Sequence, residues 1–113
     1  MIIGIRENQL EIMREAVLKS MCLRLKNRLL SDRVVEEVDL EEVSQIVTDV
    51  AQLGIYGDEN CYRLLRFRFL AKRELESSAV QDAVMRVLHN LAWSVDKRLT
   101  FLEREITGRN QVV

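Results

Sequence analysis

The chain has 113 residues, of which 48% are hydrophobic, so it is long enough to bury one core and too short for two separate domains. Its 17 basic and 18 acidic residues leave a net charge of −1, which excludes a strong general attraction to nucleic acids or anionic membranes. No apolar stretch approaches the roughly 18 residues of a membrane-spanning helix, and the short apolar start is not typical of a signal peptide. We therefore expect one cytoplasmic domain over residues 1–113, with no membrane contact.

The composition favours an all-α fold. The chain has no proline and only four glycines, so few residues would interrupt a helix. We expect a compact bundle of about four helices, with a frayed tail at residues 108–113. The first helix is predicted over about residues 6–30, where apolar residues recur at spacings of three and four. These residues are Leu10, Met13, Val17, Met21, Leu25 and Leu29. Residues 31–38 break the period and predict a loop.

The second helix has clear start and stop signals. Asp39 can accept hydrogen bonds from the free N–H groups of a first turn, and Glu42 three residues later completes a capping box. Gly54 can adopt the left-handed conformation that closes a helix, and Ile55 can pack back on the last turn. The pattern therefore predicts a helix that ends near Leu53.

Two more helices are predicted in the second half of the chain. Asp58 is the expected N-cap of a third helix, which runs to about Glu76 and is apolar over more than half of its girth. Such a helix is either central to the fold or faces two partners. Ser78 and Gln81 repeat the capping-box signature and predict a long C-terminal helix over about residues 79–106. At ~1.5 Å per residue this helix would be about 40 Å long, so part of it is expected to project and pair with another chain.

Few residues are suited to catalysis. His89 is the only histidine, which excludes a multi-histidine metal site and leaves one candidate general base. Cys22 and Cys61 each lie within an apolar helical pattern, which is typical of small buried side chains, and a disulfide would need an oxidising compartment. No glycine-rich phosphate loop is present. We expect a non-enzymatic protein with no cofactor and no metal, and an enzyme centred on His89 is the least favoured alternative.

The charged residues include two patches of opposite sign. The acidic patch consists of Glu36, Glu37, Asp39, Glu41 and Glu42. Its spacing lacks the alternation of a calcium loop, and acidic side chains at a helix start are favoured by the helix dipole. The basic patch consists of Arg63, Arg66, Arg68, Lys72 and Arg73. The two patches are expected to meet within the fold or across a homodimer.

The third helix carries the main candidate binding residues. Aromatic residues alternate there with arginines, a mixture that is enriched in protein interfaces and also suits stacking on RNA. Trp93 and Phe101 lie beside the stripe of the fourth helix, where they either pack against the third helix or extend a binding surface. The predicted partner-binding residues are Tyr62, Arg63, Arg66, Phe67, Arg68, Trp93 and Phe101. The plain alternative is a core helix with a charged outer face.

Several short motifs resemble those of a group of small bacterial proteins. Ile5-Arg6 and Gln9-Leu10 precede a long helix, and residues 51–55 lead through Asp58 into an aromatic and leucine-rich helix at residues 62–70. Over about the first 70 residues, this pattern resembles helical accessory proteins encoded in type VI secretion clusters beside spike-tip or effector genes. The resemblance implies a non-enzymatic role, either helping an effector to load onto the secretion machine or neutralising a toxin.

The leading hypothesis is an adaptor, chaperone or immunity-type protein. It would bind an effector, a toxin or a secretion-spike component through the third helix and the flank of the fourth. Apolar anchors would supply affinity, and the charged patches would fix orientation. The alternative is a small nucleic-acid-binding or regulatory helical dimer, and the near-neutral net charge makes nucleic acid the less favoured partner.

Overall fold

The computed structural model describes the backbone of residues 2–107 and the side chains of residues 14–106. This part of the chain contains helices, turns and loops and no strand, which confirms the predicted all-α class. Its α-helices are α1 (Ile2–Ser31), α2 (Leu40–Ala51), α3 (Asp58–Leu70), α4 (Ser78–Leu88) and α5 (Val95–Leu102). A 3₁₀ turn at Glu74–Glu76 precedes α4, and a π-helical turn at Glu103–Thr107 continues α5. None of these helices combines the length and hydropathy needed to cross a membrane. The tail predicted to fray lies outside the described residues.

The core is built around α3, which packs against α1, α2 and α5. Its inner side chains Leu64, Leu65 and Phe67 are at most 2% exposed. One apolar face of α2 supplies the next layer, with Val43, Ile46, Val47 and Val50 buried. The apolar girth of the third helix predicted that it either is central to the fold or faces two partners. The structure shows that α3 is central to the fold.

The longest helix in the described part of the chain is α1. Its 30 residues correspond to a length of about 45 Å. Within the predicted apolar stripe, Leu25 and Leu29 are buried, whereas Val17 is 65% exposed. The side chains of Leu10 and Met13 lie outside the described residues. Among the described residues of the stripe, those buried in the core thus lie towards the C-terminal end of α1.

Two exposed ion pairs align α1 with α3. Arg24 Nε lies 2.9 Å from Asp58 Oδ2, and Arg28 Nη1 lies 2.8 Å from Glu59 Oε2. Hydrogen bonds from the two arginines lower the pKa of Asp58 and of Glu59 below their ordinary values. Because both pairs are at the surface, where water and salt screen them, they fix the orientation of the two helices more than they stabilise the fold.

The turn between α2 and α3 follows the predicted stop signal. Gly54 has a φ of +79°, and the N–H of Ile55 donates to the carbonyl of Val50 at 3.2 Å, as in a Schellman motif. Ile55 is 0% exposed, so it anchors the turn in the core. The predicted N-cap of α3 is displaced by one residue, because Gly57 occupies the cap position and Asp58 is the first helical residue.

The single long helix predicted over residues 79–106 is wrong. Residues 89–94 separate α4 from α5, and the hydroxyl of Ser94 caps α5 by accepting a hydrogen bond from the N–H of Lys97 at 3.1 Å. The break lets α5 pack against both α3 and α4, where Leu99 is buried. A straight helix would carry that side chain away from the core.

Two other predicted boundaries are corrected. The third helix ends at Leu70 instead of near Glu76, since the chain enters a turn and then a 3₁₀ segment. The N-cap of α4 is Ser77 and not Ser78, because the Ser77 hydroxyl accepts a hydrogen bond from the N–H of Val80 at 3.5 Å. Each correction shifts an element boundary and leaves the element itself in place.

Candidate functional site

Two of the predicted contact residues have structural roles. Phe67 is 2% exposed, so it is corrected from a partner contact to a core residue. Arg63 faces α5 and the π-helical turn after it, and its guanidinium pairs with Asp96 of α5 at 2.8 Å and with Glu103 of the turn at 2.5 Å. The hydrogen bond to Glu103 is the largest effect that raises the pKa of Arg63 above its ordinary value. Charge-assisted hydrogen bonds of this kind tie α3 to α5.

Tyr62 is the centre of a polar network between α1 and α3. The residue is 3% exposed, and its hydroxyl donates a hydrogen bond to Asp32 Oδ2 at 2.5 Å. The guanidinium carbon of Arg28 lies 3.8 Å from the centroid of the Tyr62 ring, in a cation–π contact. Burial, followed by the hydrogen bond to Asp32, raises the pKa of Tyr62 to about 12. The hydroxyl is therefore a protonated donor at neutral pH.

An open cleft of about 480 Å³ lies beside this network, and we call it the arginine cleft. Its lining residues are Arg28, Asp32, Arg33, Val34, Tyr62, Arg66 and Leu70. Arg66 and Arg33 are exposed, and neither takes part in the ion pairs found among the described residues. Their guanidinium groups are therefore available to an oxyanion, for which they are well suited.

Arg33 has an unusual backbone conformation for an arginine. Its φ is +60°, and it ends α1 in a Schellman motif, with the N–H of Val34 bonded to the carbonyl of Leu29 at 3.0 Å. Glycine is the usual residue at this left-handed position. A residue with a Cβ atom costs about 1 kcal/mol there. Backbone strain of this kind clusters at functional sites, so Arg33 is a candidate functional residue.

We expect the substitution Arg33→Gly to raise the free energy of unfolding by about 1 kcal/mol, because glycine accepts a positive φ without strain. The side chain that is lost makes no ion pair within the described residues. Urea unfolding measures the change. Arg33→Ala removes the same guanidinium and keeps the strain, so it serves as the control. Equal stability of the glycine and alanine variants would contradict the strain argument.

Arg68 belongs to a different surface. It is exposed beside a groove of about 340 Å³ between α3 and α4, which we call the α3–α4 groove. Apart from Arg68 and Gln81, the groove is lined by Val50, Leu64, Phe67, Leu75, Val84, Met85 and Leu88. Most of these side chains belong to the core, so the groove is a shallow opening onto the packed interior.

Trp93 and Phe101 form a third surface with Lys97, which we call the aromatic patch. The two ring centroids are 5.6 Å apart, with their planes tilted by 58°. Lys97 Nζ lies 4.5 Å from the centroid of the Trp93 ring. Phe101 is 40% exposed, and Leu91, two residues before the tryptophan, is 74% exposed. Trp93 lies just before α5 and is half-buried, and Phe101 lies on α5 and is exposed. The fold thus brings these two predicted binding residues together at its surface.

The acidic patch remains at the surface. Its five residues are all exposed, and none of them joins an ion pair among the described residues. Asp39 is the N-cap residue of α2, although its side chain makes no capping hydrogen bond, and Glu41 and Glu42 lie in the first turn. The described residues include no group of three or more His, Cys, Asp or Glu side chains arranged to hold a metal ion. The acidic and basic patches therefore do not pair within this part of the fold.

His89 contacts a main-chain carbonyl, and the two cysteines are buried. His89 follows the last turn of α4, and its Nδ1 lies 2.8 Å from the carbonyl oxygen of Met85. Cys22 and Cys61 are buried free thiols, and burial raises the pKa of Cys61 to about 11. A thiol with a raised pKa is protonated at neutral pH and weakly nucleophilic.

Several of the residues that shape these surfaces are not among the predicted binding residues. Asp32 and Arg33 of the arginine cleft lie in the loop after α1, where the only local signal is a basic residue near a helix C-terminus. Arg98 is 4% exposed, and its Nη1 donates to the carbonyls of Leu53 at 3.0 Å and Leu88 at 2.8 Å. No sequence motif marks Arg98, because both acceptors are main-chain atoms brought together by the tertiary fold.

In comparisons with known proteins, no family model, no curated protein and no solved structure matches this chain.

Proposed function

We propose that this chain is a non-enzymatic, cytoplasmic protein-binding accessory protein. In this proposal it acts as an adaptor, a chaperone or an immunity-type protein for a bacterial secretion-system effector or toxin. The resemblance of its first 70 residues to proteins of type VI secretion clusters supports this class of partner. The single structural observation that supports protein binding is the partly exposed aromatic patch at the start and along the surface of α5.

The aromatic patch has the chemistry of an interface anchor. Tryptophan is the residue type most enriched among the side chains that dominate binding energies, and aromatic rings bury large areas at a small entropic cost. Here the Trp93 ring packs in a tilted orientation against Phe101, which remains 40% exposed, and Leu91 nearby in the chain is 74% exposed. Exposed apolar side chains that cluster are typical of interaction sites, whereas isolated ones are ordinary. The Lys97 amine beside the Trp93 ring provides a charged rim.

We expect Trp93→Ala and Phe101→Ala each to weaken binding of the partner by at least about tenfold, because each removes a ring from the proposed anchor. The partner to test is the effector or toxin encoded beside this gene in its native host. Co-purification gives the first readout, and titration calorimetry with the purified pair gives the affinity.

Tyr56→Ala is the matched control for these two variants. Tyr56 is an aromatic residue that is 65% exposed, and it lies in the turn between α2 and α3, away from α5 in the chain. This variant should bind like the wild type, and circular dichroism should show the same helicity for all three. Wild-type affinity in both the Trp93 and Phe101 variants would remove the aromatic patch from the proposal.

Co-expression separates the two roles within the proposed function. An immunity-type protein is expected to restore growth of cells that produce the toxin in their cytoplasm. An adaptor or chaperone is expected to increase effector secretion without protecting the cell. If the purified pair fails to bind at all, the proposed function itself is contradicted.

A further inference from the structure

Two oppositely charged surfaces lie next to each other in the chain and are not paired with each other in the described part of the fold. The arginine cleft includes Arg33 and Arg66, which make no ion pair among the described residues. The acidic patch begins at Glu36, three residues after Arg33. Three residues of extended chain span about 11 Å at most. The positive and negative surfaces are therefore neighbours.

We infer that the arginine cleft binds the acidic patch of a second copy of this chain, in a two-fold symmetric dimer. In such a dimer the same surface of both copies meets itself, so residue i contacts j while j contacts i. When a positive and a negative surface lie side by side, a two-fold axis between them places each one on its opposite in the partner. The contact between cleft and patch then forms twice.

The cleft offers suitable chemistry for carboxylates. A guanidinium group binds a carboxylate with two parallel hydrogen bonds, and Arg33 and Arg66 supply two such groups. Asp32 does not compete strongly for them, because it accepts the Tyr62 hydroxyl and its Oδ2 lies 3.8 Å from Arg28 Nε. Leu70, which is 39% exposed, adds an apolar contact to the charged ones, as interface centres commonly do.

The backbone at Arg33 gives a second, independent reason. Its φ of +60° is a conformation that glycine adopts without strain, so an arginine there strains the backbone of the isolated chain. A side chain that contributes to a dimer contact offsets that cost on association. The net charge of −1 for each chain opposes such association only weakly.

The test is the oligomeric state, measured by sedimentation velocity at low and at high salt. The wild type is expected to be dimeric at low salt and to dissociate as salt rises, because salt screens exposed ion pairs. A cleft-reversed chain, Arg33→Glu with Arg66→Glu, and a patch-reversed chain, Glu36→Lys with Glu37→Lys, are each expected to be monomeric. Mixed in equal amounts, the two reversed chains are expected to form heterodimers, since both contacts again join opposite charges.

Arg33→Gly separates dimerisation from folding. This variant removes one charge of the cleft and is expected to be more stable than the wild type, so a weaker dimer does not reflect unfolding. We expect its dimer dissociation constant to rise about tenfold, because the symmetric dimer loses the contact twice. Arg68→Glu changes an exposed arginine of the same helix outside the cleft, and it should leave the dimer intact.

A wild-type chain that stays monomeric at low salt overturns the proposal, even if its cleft then binds inorganic phosphate. A dimer that persists in both reversed chains overturns it as well, and so does a mixture of them that fails to associate. The aromatic patch takes no part in this contact. Partner binding and dimerisation can therefore fail separately, and their failures are distinguishable.

Discussion

Phe67→Ala is expected to lower the free energy of unfolding by about 3–5 kcal/mol. The Phe67 side chain is 2% exposed and lies on the central helix α3, so truncation removes a ring from the core and leaves a cavity. Small domains are stable by only about 5–15 kcal/mol, so the variant would retain a small margin. Denaturant unfolding followed by circular dichroism should show a lower midpoint with an unchanged slope.

Phe101→Ala is the matched control, because it deletes the same side chain from a residue that is 40% exposed. Its expected cost is about 1 kcal/mol, the value of its contact with Trp93. The difference between the two variants isolates the effect of burial. Equal losses of stability would contradict the central position of α3 and would reopen Phe67 as a contact residue.

Helix ends were predictable from the sequence where their hydrogen bonds are local. The stop of α2 depends on Gly54 and on the hydrogen bond between Ile55 and Val50, all within six residues of chain. A glycine followed by an apolar residue is enough to predict that geometry. The starts of α3 and α4 were also predicted to within one residue, although Gly57, the N-cap residue of α3, makes no side-chain capping hydrogen bond. At each of these starts, two adjacent residues could occupy the N-cap position. The path of the preceding turn determines which of the two does so.

The break between α4 and α5 was not predictable from periodicity. Val84, Leu88, Leu91, Val95 and Leu99 continue at spacings of three and four across the connection, so the stripe is the same with or without a break. The signal that was present is Ser94, which caps α5. Whether this cap starts a new helix depends on the apolar surface that α5 buries when it packs against α3 and α4. That burial is a property of the tertiary fold.

The residue types of the candidate sites were predictable, but their grouping was not. Arg63, Arg66 and Arg68 are close in sequence, yet successive residues of a helix are rotated by about 100°. They therefore meet different neighbours: α5 for the first, the arginine cleft for the second and the α3–α4 groove for the third. Which direction is buried depends on where the other helices lie. The contact of Tyr62 with Asp32 spans 30 positions of chain, so no local pattern indicates it.

Arg98 joins the C-terminal ends of two helices in the core. Its Nη1 donates to the carbonyl of Leu88, the last residue of α4, and to the carbonyl of Leu53 just after α2. Unpaired carbonyls at helix C-termini carry partial negative charge, so a cation there is favourable. Within the described residues, Arg98 Nε has no hydrogen-bond partner, so part of the cost of burying this group is not recovered. The hydrogen bonds of Arg98 to the two carbonyls therefore stabilise the fold, whereas the burial of its guanidinium group opposes folding.

We expect Arg98→Met to lower the free energy of unfolding by about 1–3 kcal/mol, because the unbranched side chain keeps much of the packing while two carbonyls lose a charged donor. Urea unfolding measures the loss, and limited proteolysis in residues 89–94 reports whether α5 detaches from α4 first. Arg98→Lys retains the charge and one donor group, so it is expected to be more stable than the methionine variant. A methionine variant as stable as the wild type, or more so, would show that the desolvation of the buried guanidinium outweighs its hydrogen bonds, as happens when some buried ion pairs are replaced by apolar residues.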